Sequence, residues 1–262
     1  MKITGKTKIM FAMAHPVGSG RASDVLNTYF ASIDKDVAVS PLDVHPDDLG
    51  TVLAAIRCLR NVVGFGVTMP HKINIVRHLD HLTERARAIG AVNFVRRNED
   101  GTLLGDNIDG AGFIAGMLRN GIEVKGKRVL QFGAGGAGRA TAFALAEAGA
   151  KEIFIFNRDV AKARALAAEL KAADGSVIGR AGEEIPTGFD VIINATSLGM
   201  KPDDALPFDV ELIRPDTAVC DIVVSPPLTS IVAAARERGA RAIGGQPMLD
   251  EQMDLVRQLV MP

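Results

Sequence analysis

The apolar residues of this chain fall into two alternating kinds of segment. Short runs are rich in β-branched and aromatic residues, whereas longer runs carry apolar residues every three to four positions. In the first part of the chain, strands are predicted at 9–14, 37–40 and 62–67, and helices at 22–32 and 46–59. Strands that alternate with helices are typical of βαβ units and a mostly parallel sheet, so the pattern predicts an α/β fold.

A second series of the same kind starts near Lys127. It predicts strands at 128–132, 152–156, 191–194 and 218–222, and helices at 137–148, 160–173 and 229–238. A helix over 109–118 is expected to connect the two series, and a last amphipathic helix is predicted from 247 to about 260. We therefore expect two domains, one formed by residues 1–108 with 244–262 and the other by residues 109–243.

Composition and charge exclude several classes of protein. The 262 residues are 47% hydrophobic, which supports a core of ordinary size, and the net charge of −1 gives no electrostatic basis for binding nucleic acid or an anionic membrane. No apolar run approaches the roughly 20 residues that span a membrane. Cys58 and Cys220 lie far apart and are expected to be reduced thiols. We therefore expect a cytoplasmic protein with a small-molecule substrate.

A glycine-rich motif follows the first predicted strand of the second series. Residues 133–138 carry the G-x-G-x-x-G pattern between a strand and a helix. In this pattern Gly133 permits a tight turn, Gly135 lets the backbone approach a pyrophosphate, and Gly138 allows close packing of helix on strand. The motif predicts a Rossmann domain that binds NAD(P). The residues expected to contact the cofactor here are Gly133, Ala134, Gly135, Gly136, Ala137 and Gly138.

The residues after the next predicted strand bear on the choice between NADP and NAD. An NAD site usually carries Asp or Glu at this point to bind the ribose 2′-hydroxyl, but this chain has Asn157 and Arg158. Arg158 can pair with a 2′-phosphate through its planar guanidinium, which favours NADP and leaves NAD as the alternative. The following Asp159 has two interpretations, a charge that repels the phosphate or an N-cap of the next helix.

Three polar segments precede the glycine motif. They read Val-Thr-Met-Pro-His-Lys at 67–72, Gly-Ala-Val-Asn at 90–93 and Leu-Gly-Asp-Asn-Ile-Asp-Gly at 104–110. A lysine beside a carboxylate, shielded from water, can accept the proton of an alcohol that is being oxidised. Taken alone, Lys72 can be a solvated surface residue and Asp109 a helix cap. Together with Asn93 they indicate a proton-relay site beside a hydride carrier.

These segments resemble the shikimate/quinate dehydrogenase family over most of the chain, and most densely from Gly66 to Phe113. The resemblance implies that Lys72 is the general acid/base and that Asp109 holds the same hydroxyl and orients the lysine. It also implies substrate contacts from Thr68, Asn93 and Gln252, with substrate bound in a cleft between a substrate domain and the Rossmann domain. Further residues implied near the cofactor are Ala195, Thr196, Ser197, Ile222, Gly245 and Met248.

The chain departs from the family pattern in its substrate-binding loop. Where the family has Ser-x-Ser-Pro, residues 21–24 read Arg-Ala-Ser-Asp, so that Ser23 is kept and Arg21 replaces the other serine. Arg21 is expected to bind the substrate carboxylate as a bidentate partner, with a surface role as the alternative. A family asparagine is Gly66 here and a family tyrosine is Val224. These departures leave the identity of the substrate more open than the type of reaction.

The sequence therefore predicts an NAD(P)-dependent oxidoreductase, an alcohol dehydrogenase of the EC 1.1.1 class similar to shikimate dehydrogenase. It would transfer hydride reversibly between the nicotinamide and a ring hydroxyl of shikimate or a related cyclic polyol carboxylate, and the resemblance places it in aromatic amino acid biosynthesis. The alternatives are a quinate- or aminoshikimate-type dehydrogenase that uses NAD, and a non-catalytic NAD(P)-binding regulatory module. No metal is expected, because His78 and His81 lack a ligand motif such as HExxH. A homodimer is one option for its assembly.

Overall fold

Two six-stranded sheets organise this α/β protein. The structure is a computed structural model that describes residues 2–18, 22–173, 178–182 and 184–261. The chain divides into a first unit, Met1–Ile108 with Met253–Pro262, and a second unit, Asp109–Gln252. The second boundary differs from the expected one, because residues 244–252 belong to the second unit.

The first unit alternates strands and helices along the chain. Its elements are β1 (Lys8–Ala14), α1 (Ala22–Ser32), β2 (Val37–Asp43), α2 (Leu49–Cys58), β3 (Val62–Val67), α3 (His71–Asn74), β4 (His81–Leu82), α4 (Glu84–Ile89), β5 (Phe94–Arg97) and β6 (Leu103–Asp106). Short 3₁₀ helices at Pro46–Asp48 and Ile75–His78 precede α2 and follow α3. The predicted helix at 46–59 is therefore a 3₁₀ turn, started by a proline, followed by an α-helix.

The sheet of the first unit is mixed rather than mostly parallel. Its strand order is β2-β1-β3-β5-β6-β4; β1 pairs in parallel with both β2 and β3, whereas β5 is antiparallel to β3 and β6. Strands β4, β5 and β6 were not predicted from the sequence. They are short, and Arg96, Arg97 and Asp106 interrupt the apolar pattern from which a strand would be predicted.

The second unit contains a sheet of six parallel strands. Its elements are α5 (Asp109–Arg119), β7 (Arg128–Phe132), α6 (Gly136–Glu147), β8 (Glu152–Phe156), α7 (Val160–Ala173), β9 (Ile178–Ala181), β10 (Val191–Asn194), β11 (Ala218–Asp221), α8 (Ser230–Glu237), β12 (Arg241–Ile243) and α9 (Gln246–Asp250). The strand order β9-β8-β7-β10-β11-β12 is the 3-2-1-4-5-6 order of the Rossmann fold.

The end of the chain corrects the prediction of one helix from 247 to 260. Helix α9 ends at Asp250, and α10 (Met253–Val260) starts afresh in the first unit. Gln252 lies in the break and is buried rather than continuing the amphipathic pattern.

Each unit has its own apolar core. In the first unit, Met13, Leu53, Phe65 and Val95 belong to one cluster of buried side chains. In the second unit, β7 is buried on both faces, as expected for a parallel sheet: Val129 belongs to one cluster and Leu130 to another. No helix in the described part of the chain is long and apolar enough to span a membrane.

Candidate active site

The glycine motif forms the turn between β7 and α6. Gly133 has a φ of +107°, and a side chain there would place its Cβ 2.5 Å from the carbonyl oxygen of Ala195, so only glycine fits. Gly135 is the N-cap of α6, and a Cβ there would lie more than 4 Å from every atom that the described part of the chain places nearby. The room left at Gly135 beside the first-turn N–H groups of α6 is consistent with the predicted approach of a pyrophosphate to this turn.

Polar residues at the end of β8 lie beside this loop. Asn157 Oδ1 accepts a hydrogen bond from Ala134 N at 3.2 Å, and Asn157 Nδ2 donates to the carbonyl of Asp159. Asp159 Oδ1 accepts hydrogen bonds from Ala161 N and Lys162 N, so its carboxylate caps α7. Arg158 is exposed at the same strand end. The N-cap interpretation of Asp159 is therefore supported, and its charge stays next to Arg158.

The ends of β10, β11 and β12 bring further predicted cofactor residues to the same edge of the sheet, since all six strands are parallel. Thr196 donates through both its N–H and its hydroxyl to Asn194 Oδ1, which fixes the turn that contains Ala195 and Ser197. Ile222 N donates to the carbonyl of Asn194 at 3.0 Å. The carboxyl edge of a parallel sheet is where α/β proteins bind ligands.

Gly245 and Met248 lie near that edge with different roles. A Cβ on Gly245 would lie 2.4 Å from the carbonyl oxygen of Ile222, so the backbone of the two segments is in close contact. The half-buried Met248 packs against the apolar core, and its carbonyl faces Gly112 of α5. Met248 therefore has a packing contact, and a cofactor contact stays a prediction.

The second unit also joins Asp109 to Gln252. Asp109 is the first residue of α5 and is buried, and Gln252 Nε2 donates to its Oδ1 at 3.4 Å. The two are separated by 143 positions in the chain. A carboxylate oriented by an amide is a suitable partner for a substrate hydroxyl.

The first unit gathers Thr68, Lys72 and Asn93 at the carboxyl end of β3. Val67 N donates to the Asn93 carbonyl at 2.7 Å, and Val92 N donates to the Lys72 carbonyl at 2.8 Å. Asn93 is buried and its Oδ1 accepts from Ile108 N, whereas Thr68 is exposed and Lys72 half-buried. Backbone hydrogen bonds thus hold the segments that carry these three residues together at one corner of the sheet.

The neighbour of Lys72 is a neutral buried histidine. His71 Nε2 donates to the carbonyl of Val44 at 2.8 Å, and burial lowers the pKa of His71 below its usual range. Because His71 is neutral near pH 7, it does not add positive charge beside Lys72. Ser23 lies half-buried in the first turn of α1, and Arg21 lies outside the described residues.

Comparison with known proteins identifies the family. A family model for the shikimate dehydrogenase substrate binding domain matches residues 12–95, and one for shikimate / quinate 5-dehydrogenase matches residues 117–200. The curated shikimate dehydrogenase (NADP(+)) of Rubrobacter xylanophilus is 42% identical over 252 residues, covering 95% of this chain and 88% of that protein.

The chain belongs to the shikimate dehydrogenase family.

Solved structures of this family and of a protein with another activity have the same fold. A shikimate dehydrogenase crystallised with NADP⁺ has a TM-score of 0.93 and 34% identity, covering 99% of this chain and 92% of that one. The ligand-free 5-ketofructose reductase of a Gluconobacter species has a TM-score of 0.87 and 33% identity, covering 98% and 94%. The fold alone therefore does not determine the substrate.

Two side-chain contacts in this shikimate dehydrogenase family member were not predicted from its sequence. At Gly66, a Cβ would lie 3.0 Å from Cε1 of Phe94, which is paired with Gly66 across β3 and β5. The Phe94 ring thus lies where a larger side chain would need room, and sequence analysis missed it. At the end of β1, His15 Nδ1 is 2.8 Å from Asp43 Oδ1; this hydrogen bond lowers the pKa of Asp43. This pair was also missed, because it joins two strands that are distant in sequence.

The second unit of this family member holds buried polar groups that no motif indicates. Asp221 is fully buried at the end of β11, and Gln131 is fully buried within β7. In the sequence, the one indication of these two groups is that each is a polar residue in an otherwise apolar strand. Among the described residues, no group of three or more His, Cys, Asp or Glu side chains is arranged to hold a metal ion.

Proposed function

We propose that this protein transfers hydride reversibly between NADP and a ring hydroxyl of shikimate or a closely related cyclic polyol carboxylate. The observation that carries the proposal is the corner formed by Thr68, Lys72 and Asn93, in a chain 42% identical to a shikimate dehydrogenase that uses NADP(+). Relatives crystallised with both shikimate and a nicotinamide cofactor support it.

Lys72 is the group that moves the proton in this proposal. When bound, the nicotinamide supplies the hydride chemistry, so the protein must accept the hydroxyl proton during oxidation and return it during reduction. Burial lowers the pKa of His71, so this neighbour adds no positive charge beside Lys72 near pH 7. Asp109, oriented by Gln252, is the carboxylate proposed to hold the same hydroxyl.

NADP is the proposed cofactor, and its 2′-phosphate is assigned to Arg158. The uncapped first turn of α6 at Gly135 is assigned to the pyrophosphate, and the turn 195–197 to the nicotinamide half. A quinate dehydrogenase with this fold was crystallised with NAD, so activity with NADP has to be compared with activity with NAD.

The substrate carboxylate is proposed to bind at the start of α1, through Ser23 and through Arg21, which lies outside the described residues. A cytoplasmic location is also proposed, because both cysteines, Cys58 and Cys220, are free thiols, as is usual in a reducing compartment. The homodimer stays a prediction that light scattering would test.

The test is an absorbance assay of cofactor reduction with shikimate, quinate and aminoshikimate, each with NADP and with NAD. Lys72→Ala is expected to lower kcat with the preferred pair by about 10²–10⁴-fold and to leave the Kd of NADPH unchanged, because it removes proton transfer only. Lys6→Ala changes an exposed lysine of the same unit and serves as the control.

The results separate the candidate functions. Near-normal turnover by Lys72→Ala would contradict the proposed proton transfer. Turnover of quinate with NAD in preference to shikimate with NADP would reassign the substrate. Tight NADPH binding without turnover of any of the three acids would favour a regulatory module. If Lys72 and Asp109 act on one hydroxyl, the losses from Lys72→Ala and Asp109→Ala will not add in the double variant.

A further inference from the structure

Gln131 is a polar residue in the most central part of the second unit. It lies in β7, between β8 and β10, and its side chain is fully buried. Its neighbours on the strand, Leu130 and Phe132, belong to the apolar core. Burying an amide without hydrogen bonds costs several kcal/mol, so a buried glutamine in such a strand requires partners and a reason.

Every polar atom of the Gln131 amide has a partner. Nε2 donates two hydrogen bonds, to the carbonyl of Gly133 at 2.9 Å and to the carbonyl of Gly138 at 2.8 Å. The hydroxyl of the fully buried Thr141 lies 2.8 Å from Oε1 and 3.1 Å from the Gly138 carbonyl oxygen, and we assign its one proton to the shorter bond, to Oε1. The opposite orientation of the amide would place Oε1 against two carbonyl oxygens, so the network fixes the side chain in one orientation.

The two carbonyls that Gln131 binds stand at the first and the last glycine of the motif. Gly133 begins the loop, and Gly138 lies in the first turn of α6. The same two residues touch, because a Cβ on Gly138 would lie 2.5 Å from the Gly133 carbonyl oxygen. Gln131 therefore closes the base of the loop, and Thr141, one turn along α6 from Gly138, holds the amide that does so.

We propose that Gln131 and Thr141 are positioning residues that hold the glycine loop in its pyrophosphate-binding conformation before the cofactor arrives. The inference rests on the proposed binding of NADP. Both side chains are fully buried, so each would act through the loop backbone, whose N–H groups would bind the phosphates. A loop that is already ordered does not lose conformational entropy on binding, and affinity for the pyrophosphate increases accordingly.

The experiment compares a ligand that has the pyrophosphate with one that lacks it. Kd values for NADPH and for 2′-AMP are measured by direct titration with wild type, Gln131→Leu and Thr141→Val. Thr141→Ser keeps the hydroxyl and is the matched control. We expect both variants to weaken NADPH about 5- to 30-fold, the equivalent of one or two hydrogen bonds, and 2′-AMP by less than about twofold. The KM for NADP should rise while kcat at saturating cofactor stays near that of wild type.

Three results would overturn the inference. Unchanged NADPH affinity in both variants would show that the loop holds its conformation without the network. Equal weakening of NADPH and 2′-AMP, also seen in Thr141→Ser, would indicate a general loss of structure. If Gln131→Leu does not fold, Thr141→Val decides alone, since it keeps the side-chain volume and removes only the hydroxyl that holds the Gln131 amide in place. If the wild-type protein itself binds no NADPH, the proposed function fails. A loss of NADPH affinity that occurs only in the variants concerns the glycine loop alone.

Discussion

A single carboxylate, that of Asp159, combines a structural role with an electrostatic one. Its Oδ1 caps α7 by accepting from Ala161 N and Lys162 N. The same charge follows directly after Arg158, the residue assigned to the 2′-phosphate of NADP. A negative charge near a phosphate opposes binding by about 1 kcal/mol at a separation of 4 Å in water. The cap and the repulsion can be separated, because threonine caps a helix without a charge.

Asp159→Thr is predicted to tighten NADP binding about 3- to 10-fold and to leave NAD affinity and the melting temperature nearly unchanged. Calorimetric titration with both cofactors measures the first effect. Asp159→Ala is the control: it should gain the same affinity for NADP but lose about 1 kcal/mol of unfolding free energy with the cap. Unchanged NADP affinity in both variants would show that the carboxylate acts as a cap only.

The buried Asp221 links stability to pH. Burial raises the pKa of its carboxyl above the usual range, although donors from Thr229, Val223 N and Asn194 oppose the shift. A folded-state pKa above the unfolded value means that the group stabilises the fold fully at pH values below its unfolded pKa. That contribution is lost as pH rises through the folded pKa.

Asp221→Asn is therefore predicted to gain stability relative to wild type as pH rises. Asparagine can keep the network, because its oxygen accepts from Val223 N and Asn194 while its amide donates to the Thr229 hydroxyl. Denaturant unfolding of both proteins from about pH 4 to about pH 8 measures the difference. If the difference in unfolding free energy is constant across this range, Asp221 does not titrate there. Asp221→Leu is the control: it removes all three acceptor interactions and should lower the unfolding free energy by about 2–5 kcal/mol at every pH.

Residue-scale prediction from sequence succeeded where a pattern has a physical meaning. The glycines at 133 and 138 could be interpreted because close backbone approach leaves no alternative to glycine, whereas Gly135 follows only from the motif's known approach to a pyrophosphate. Gln131 and Asp221 could not, because their partners are carbonyls and side chains that the fold brings together from other segments. Sequence alone shows only that a polar residue interrupts an apolar strand.

At the scale of elements, helices α5 and α9 pack closely because α5 carries glycines at the contact. A Cβ on Gly112 would lie 2.5 Å from the Met248 carbonyl oxygen and 2.6 Å from Cγ of Gln252, and Gly116 is similarly close to Pro247. This contact keeps residues 244–252 in the second unit and ends α9 before Gln252. The prediction of one continuous helix failed because an amphipathic period does not reveal that its two halves pack on different units.

Gly112→Ala is predicted to destabilise the protein by about 1–3 kcal/mol and to lower kcat. Alanine favours a helix by up to about 1 kcal/mol over glycine, but a methyl group this close to a carbonyl forces α9 outward and shifts Gln252 away from Asp109. Thermal unfolding and turnover measure the two effects. Gly5→Ala, where a Cβ would meet no atom of the described residues within 4 Å, is the control and should change neither. A Gly112→Ala protein as stable and active as wild type would show that the helix contact yields without moving Gln252.

At the scale of the whole molecule, two sheets with separate cores carry two sets of predicted residues. The substrate candidates Ser23, Thr68, Lys72 and Asn93 lie in the first unit, and the cofactor candidates together with Asp109 and Gln252 lie in the second. The α/β class and a Rossmann domain were predictable, because apolar strands alternate with helices around the glycine motif; the edge strands β9 and β12 were not predicted. The mixed sheet of the first unit was not, since its short β4, β5 and β6 carry too few apolar positions to be distinguished from loops.

Separate cores imply that the cofactor stabilises the second unit more than the first. A ligand that binds only the folded state, present at 100 times its Kd, adds about 2.7 kcal/mol to the free energy of each local unfolding event that releases the ligand. Saturating NADPH is therefore predicted to slow hydrogen exchange strongly in β7, β8 and β10, and little in β1, β2 and β3. Arg158→Ala at the same NADPH concentration is the control and should show weaker protection. Equal protection of both sheets would show that the two units open together, and protection confined to the first would contradict the proposed cofactor site.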